Sequence, residues 1–174
     1  MTERPLLSRR RLLQVAAVAP AAAIPVLAVG SPANAAYRGT IVRDEVMDRA
    51  RNWFTRNIQY NGNSRATDID GDHTYRQDCS GFVSMCWHTS TPGHSTRSIP
   101  DIANRIEWSQ LKPGDVVNSA DNHCMLYHMR GDNGKIWIYD LATPASDMRH
   151  IQVSPSSLRE QNYIPRRYRN IRDN

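Results

Sequence analysis

The chain carries only three cysteines in 174 residues, an odd number with no Cys-x-x-Cys pair among them. That excludes both a disulfide framework and a paired-thiolate zinc knuckle, and it leaves at least one thiol free. A Cys86–Cys124 bridge is awkward, since Cys86 lies seven residues beyond Cys79 on a helical stretch and Cys124 neighbours His123 but points to the opposite face. The chain also lacks a basic helix with interleaved aromatics, so no nucleic-acid partner is expected. Internal repeats and linkers are missing, as is any proline-free apolar run of the about 20 residues that a membrane span needs. Asp68-Ile69-Asp70-Gly71-Asp72 lacks the acid that a calcium loop requires at its twelfth position, where Cys79 stands. A solvated loop bordering the substrate groove is expected there instead.

What is present begins with an export segment. Ser8-Arg9-Arg10-Arg11-Leu12-Leu13 precedes a mild apolar run, Val15 to Val29, broken by Pro20 and Pro25 and ending in Ala33-Asn34-Ala35. This resembles a bacterial twin-arginine signal, removed after Ala35 or Ala36. Residues 1–36 are then a signal peptide and residues 37–174 a single secreted or cell-envelope domain, with no integral membrane span after removal. Four arginines and one glutamate leave with the signal, so the net charge of +5 falls to about +2. The remaining basicity gathers in Arg166-Arg167-Tyr168-Arg169-Asn170-Ile171-Arg172, expected as a solvated or anion-facing tail.

About 138 residues suffice for one compact core. Val42, Val46, Met47, Ala50, Trp53 and Phe54 recur at helical spacing and predict a first amphipathic helix. Asn61 to Gln77 is polar and reads as a long loop. Ser80 to His88 is apolar enough for a buried helix with Cys79 at its start, and Ile99 opens a short helical stretch toward Trp108. Pro113-Gly114 marks a turn into a Val116-Val117 strand. The runs 123–129 and 136–141 flank Gly131-Asp132-Asn133-Gly134, a hairpin signal. Late strands after early helices make the fold class α+β, with N-terminal helices packed on an antiparallel sheet. Trp53, Trp87, Trp108 and Trp137 read as core aromatics. His73, His88, His94 and His150 fall in loops or at helix ends, as surface groups rather than ligands.

Asp78-Cys79-Ser80-Gly81-Phe82-Val83 places a thiol where the helix macrodipole and free N–H groups favour the thiolate. His123, at a strand entrance, is the base such a nucleophile needs. His128 faces away from it by strand alternation and reads as structural. Asp140 is the candidate for orienting the imidazole. With a four-residue loop over 131–134, Arg130 faces Lys135 and Asp140 lies across from Met125, on the face of His123. A loop one residue shorter reverses that face. An exposed strand-end carboxylate is the competing interpretation, and His150 is the fallback for the third position.

Asp78-Cys79-Ser80-Gly81-Phe82-Val83, Leu111-Lys112-Pro113-Gly114-Asp115-Val116 and His123-x-x-x-Tyr127, in this order and spacing, resemble the NlpC family of bacterial cell-wall cysteine peptidases. The resemblance covers most of the chain after the signal. It implies a papain-like core and hydrolysis of amide bonds in peptidoglycan stem peptides. Cys79, His123 and Asp140 would be catalytic and Tyr60, Asp78 and Ser80 in contact with substrate, with no metal or cofactor; the residues leave the oligomeric state open, with a monomer expected. The chain departs from the family pattern after Tyr60, where Asn61-Gly62-Asn63 replaces Val-Trp-Gly-Gly. Tyr60 therefore either fills the family's tyrosine position or simply ends the first helix. The same dyad also suits an amidase or acyltransferase, and a wall-binding domain without turnover is the alternative outside enzymes.

Overall fold

The computed structural model describes residues 36–174, so the expected signal segment lies outside the described residues. Along the chain run β1 (Ile41–Val42), α1 (Arg43–Thr55), β2 (Asn61–Thr67), β3 (Thr74–Gln77), α2 (Cys79–Cys86) and α3 (Ile99–Ile102). Then follow β4 (Ala103–Arg105), β5 (Val116–Ser119), β6 (His123–Arg130), β7 (Ile136–Leu141), β8 (Met148–Val153), α4 (Pro155–Glu160), β9 (Ile164–Tyr168) and β10 (Ile171–Arg172). A six-stranded antiparallel sheet, in the order β4-β9-β5-β6-β7-β8, is the platform. Two small sheets flank it, the β2–β3 hairpin and a parallel β1–β10 pair. The α+β class expected from the sequence is what forms. Among the described residues no helix is long and apolar enough to cross a membrane.

α1 forms where the helical spacing places it, with Asp44 and Glu45 in the first turn, where negative charge suits the macrodipole. Its inner stripe of Val46, Ala50 and Trp53 is fully buried. α2 is buried along its whole length, and Phe82, Val83 and Met85 are sealed from solvent. Together α1 and α2 cover one face of the sheet, where Val116, Cys124, Leu126, Tyr139 and Leu141 meet them. Full burial of each such large side chain contributes about 1.5–3 kcal/mol. The opposite face packs Val117, Met125, Tyr127 and Ile138 against Leu158 of α4. α4 starts at Pro155, whose fixed φ suits a first helical position.

Six expectations are corrected. Residues 61–77 are not a loop but a hairpin, missed because β2 is almost wholly exposed and shows no period-two apolar pattern; of its strand residues only Ala66 and Tyr75 are buried. Asp68, at the tip of that hairpin, is buried rather than solvated, and His88 is buried rather than a surface group. The helical stretch after Ile99 stops at Ile102 and becomes β4. The basic tail is no solvated tail, because β9 lies inside the sheet between β4 and β5 and both Tyr168 and Ile171 are buried. Trp53 and Trp87 are core residues as expected, whereas Trp108 and Trp137 are only half-buried.

The Leu-Lys-Pro-Gly-Asp turn does more than feed β5. Asp115 has no solvent exposure and accepts from Arg43 Nη1 at 3.0 Å, Arg167 Nη2 at 2.7 Å and the Lys112 backbone N–H at 2.9 Å. One carboxylate thereby joins α1, the turn and β9. Gly114 has a φ of +86°, and a Cβ there would press within 3.0 Å of Val46, so glycine lets α1 close on the turn.

Candidate active site

α2 begins tightly because its first turn is tied down by side chains. Asp78 Oδ1 accepts from the Gly81 N–H at 2.6 Å and from Ser80 Oγ at 2.9 Å, which makes Asp78 the N-cap. Arg76 Nε donates to Asp78 Oδ2 at 2.7 Å. Gly81 permits the approach of β3, since a Cβ there would lie 2.0 Å from Arg76 O. Asp78 and Ser80, expected to contact substrate, are thus occupied in building the helix start that presents Cys79.

Cys79 occupies the first helical position and is 9% exposed. A hydrogen bond from the Cys124 thiol is the largest influence on it, burial opposes ionisation, and the hydrogen bond and positive charge of His123 act with Cys124. The net effect draws the thiol down to about 5. Burial pushes the same two groups' neighbour, Cys124, well above the usual thiol range, so it stays protonated as the donor.

His123 Nε2 lies 2.6 Å from Asp140 Oδ1, which leaves Nδ1 for Cys79. Burial alone would lower the imidazole, yet the hydrogen bonds to Asp140 and Cys79 outweigh it and raise His123 to about 9. Asp140 is 1% exposed; burial works to raise its carboxyl, but His123 and Arg149 hold it below the usual carboxylate range. Arg149 reaches Asp140 Oδ2 from directly across the β7–β8 pair. The site is a thiolate–imidazolium pair backed by an ionised aspartate.

Asp140 reaches this position by a route that differs from the expected one. Gly131 N–H donates to Lys135 O and Arg130 pairs with Ile136, so the loop is one residue longer than the four assumed. By itself that would turn Asp140 to the wrong face. A bulge between Tyr127 and Met129 takes the residue back, and Leu126 pairs with Tyr139. One step further along, Asp140 stands across from Met125, as the sequence argument required.

Tyr60 packs against the core near Cys79; burial raises its phenol, and the charges of Cys79 and Asp78 add to that. His150, the fallback for the third position, pairs with Tyr139 on the other face and stacks on Trp137 and Tyr139 with His128 Nδ1 2.9 Å from its Nε2. It has no part in orienting His123. All three cysteines are free thiols. His123, Asp140 and Arg149 line an open groove of about 420 Å³, together with Gln152, Gln161 and Tyr163.

Two residues of the site escaped the sequence. Arg149 needed the β7–β8 register, and β8 itself, with burial that is intermediate at five of its six positions, has no alternating signal. Cys124 was placed on the face opposite His123, correctly, but that face is the one α2 covers, so its thiol meets Cys79. Neither a family model nor a curated protein matches the chain.

Proposed function

We propose that this chain is a cysteine peptidase of the NlpC type, with a papain-like core, that hydrolyses amide bonds in peptidoglycan stem peptides after export by a twin-arginine signal. The observation that carries the reading is the Cys79–His123–Asp140 chain of contacts, with the thiol at a helix start and the imidazole held by a buried carboxylate. A buried helix bearing the nucleophile against an antiparallel sheet bearing the base and its orienting acid supports the family reading further.

Cys79 Sγ attacks the scissile carbonyl carbon as thiolate. The Cys79 N–H, at a position that has no acceptor within its own helix, is directed at the developing oxyanion. His123 gives its Nδ1 proton to the leaving amine as the C–N bond breaks and a thioester forms. The neutral imidazole then takes a proton from water, the hydroxide adds to the thioester, and the acid departs as Cys79 recovers its thiolate. Asp140 keeps its proton-free form throughout and fixes the ring by accepting from Nε2–H, as a third group does in other nucleophile–base pairs.

The test is mass spectrometry of purified muropeptides incubated with the protein beside Cys79→Ala. Fragments that appear only with Cys79 present identify both the reaction and the bond. Intact muropeptides from several wall chemistries, beside a Cys79 that alkylates slowly at neutral pH, would sink the peptidase reading.

A further inference from the structure

Well away from the groove, at the far end of the eight-residue α2 from Cys79, lies a second cluster of functional side chains. Asp68 stands at the β2–β3 tip, His73 enters β3, and His88 follows α2. One atom from each converges, with Asp68 Oδ2, His73 Nδ1 and His88 Nε2 all within 4.8 Å of one another. We propose that these three residues hold a divalent cation of the zinc class, with a water as the fourth ligand.

Three observations support it. Asp68 Oδ2 has no hydrogen-bond partner although its side chain is wholly buried, and His73 Nδ1 is likewise unpartnered. A buried carboxylate oxygen left so is costly unless something completes it. Asp68 Oδ1 is meanwhile occupied by the Gly71 N–H at 2.9 Å, which aims Oδ2 at the histidines.

The spacing also suits a metal better than hydrogen bonds. Asp68 Oδ2 is 3.4 Å from His73 Nδ1 and 3.6 Å from His88 Nε2. Tetrahedral ligands at bond lengths of about 2.0–2.1 Å stand about 3.4 Å apart. Two imidazoles and a carboxylate form a donor set that favours zinc over calcium or magnesium.

Charge completes the case. Arg49 is the cation facing the cluster, with Nη1 3.5 Å from Asp68 Oδ2. It bonds Asp70 at 2.5 Å and Glu45 at 3.2 Å. A divalent ion adds positive charge at the buried Asp68 carboxylate, whose Arg49 partner is shared with Asp70 and Glu45. Arg49 Nη2, which can only donate, lies 3.2 Å from His88 Nδ1, so loading the site through Nε2 turns Nδ1 from acceptor to donor and requires Arg49 Nη2 to release it and keep Asp70 alone. Tyr37 stacks on His73 at 4.0 Å and shields the cluster. The ion would clamp the hairpin to the end of the nucleophile's helix.

The experiment uses the full chain carrying Cys79→Ala, which removes the thiolate as a competing ligand and makes the readout independent of peptide cleavage. Chelator-treated protein is titrated with Co²⁺ and then Zn²⁺. The expected result is one cobalt per chain with the visible absorption of tetrahedral Co²⁺, displacement by zinc, and a higher melting temperature. Adding His73→Ala, at a half-exposed position that tolerates truncation, should weaken affinity by at least about tenfold. A folded protein with neither cobalt absorption nor a melting shift overturns the proposal and assigns the cluster to a bridging water. Undiminished affinity in His73→Ala overturns it equally.

Discussion

Cys79 and His123 exchange the roles their free side chains would have at neutral pH, the thiol charged at about 5 and above, the imidazole charged up to about 9. Two measurements separate these groups. The rate of Cys79 alkylation should rise with a midpoint near pH 5 and stay high in alkali, because alkylation needs only the thiolate. Peptide cleavage should instead follow a bell in kcat/KM, lost below about pH 5 as Cys79 gains a proton and above about pH 9 as His123 loses the one it must donate. Asp140→Asn removes the charge that helps hold that proton, so the alkaline limb should move below 9 while kcat/KM falls at least about tenfold. Arg149→Ala leaves Asp140 without its second partner. Its carboxyl should titrate higher, measurable by NMR, yet stay ionised through the alkaline limb, which should therefore hold near 9 or move slightly above it, opposite to Asp140→Asn.

At the scale of the element, α2 is a short helix whose start is specified three times over. Asp78 caps it, Arg76 fixes the cap, and Gly81 lets β3 pass beneath. Gly81→Ala would set a Cβ 2.0 Å from Arg76 O, a backbone atom that cannot swing aside. The expected loss is about 3 kcal/mol in urea unfolding, at the upper end for overpacking, with slower Cys79 alkylation in the fraction that remains folded. The β6–β7 hairpin shows the opposite economy. Its longer loop and its bulge each shift register by one residue, and only their combination places Asp140 beside His123.

Over the whole molecule, Asp115 ties together segments far apart in the chain, with Arg43 at the start of α1 and Arg167 in β9. Asp115→Ala leaves Arg43, nearly buried, with only the solvent-exposed Asp173 as counter-charge. Thermal or urea unfolding should show a loss of about 3–5 kcal/mol, the cost of uncovering one member of a buried pair. Replacing Lys112, whose ammonium meets Asp173 at the surface, should change stability by under about 1 kcal/mol. The contrast tests whether the node is the buried carboxylate or the turn around it.

Features that depend on near neighbours were legible in the residues alone. α1 follows from its apolar spacing, the buried α2 from its apolar density, and the candidate Cys79 from a thiol at a helix start. These rest on interactions within a turn or two of helix, which residue types alone encode. The remainder followed from long-range packing. The hairpin over 61–77 has too little buried surface to show a pattern, and β9 hides as a basic run because its partners lie some fifty residues away. Arg149 and Cys124 joined the site through strand pairing and helix docking. Asp140 arrived because two register changes cancelled. A sheet repeats every two residues, so one inserted residue inverts a face, and only the assembled strands reveal whether a second insertion restores it.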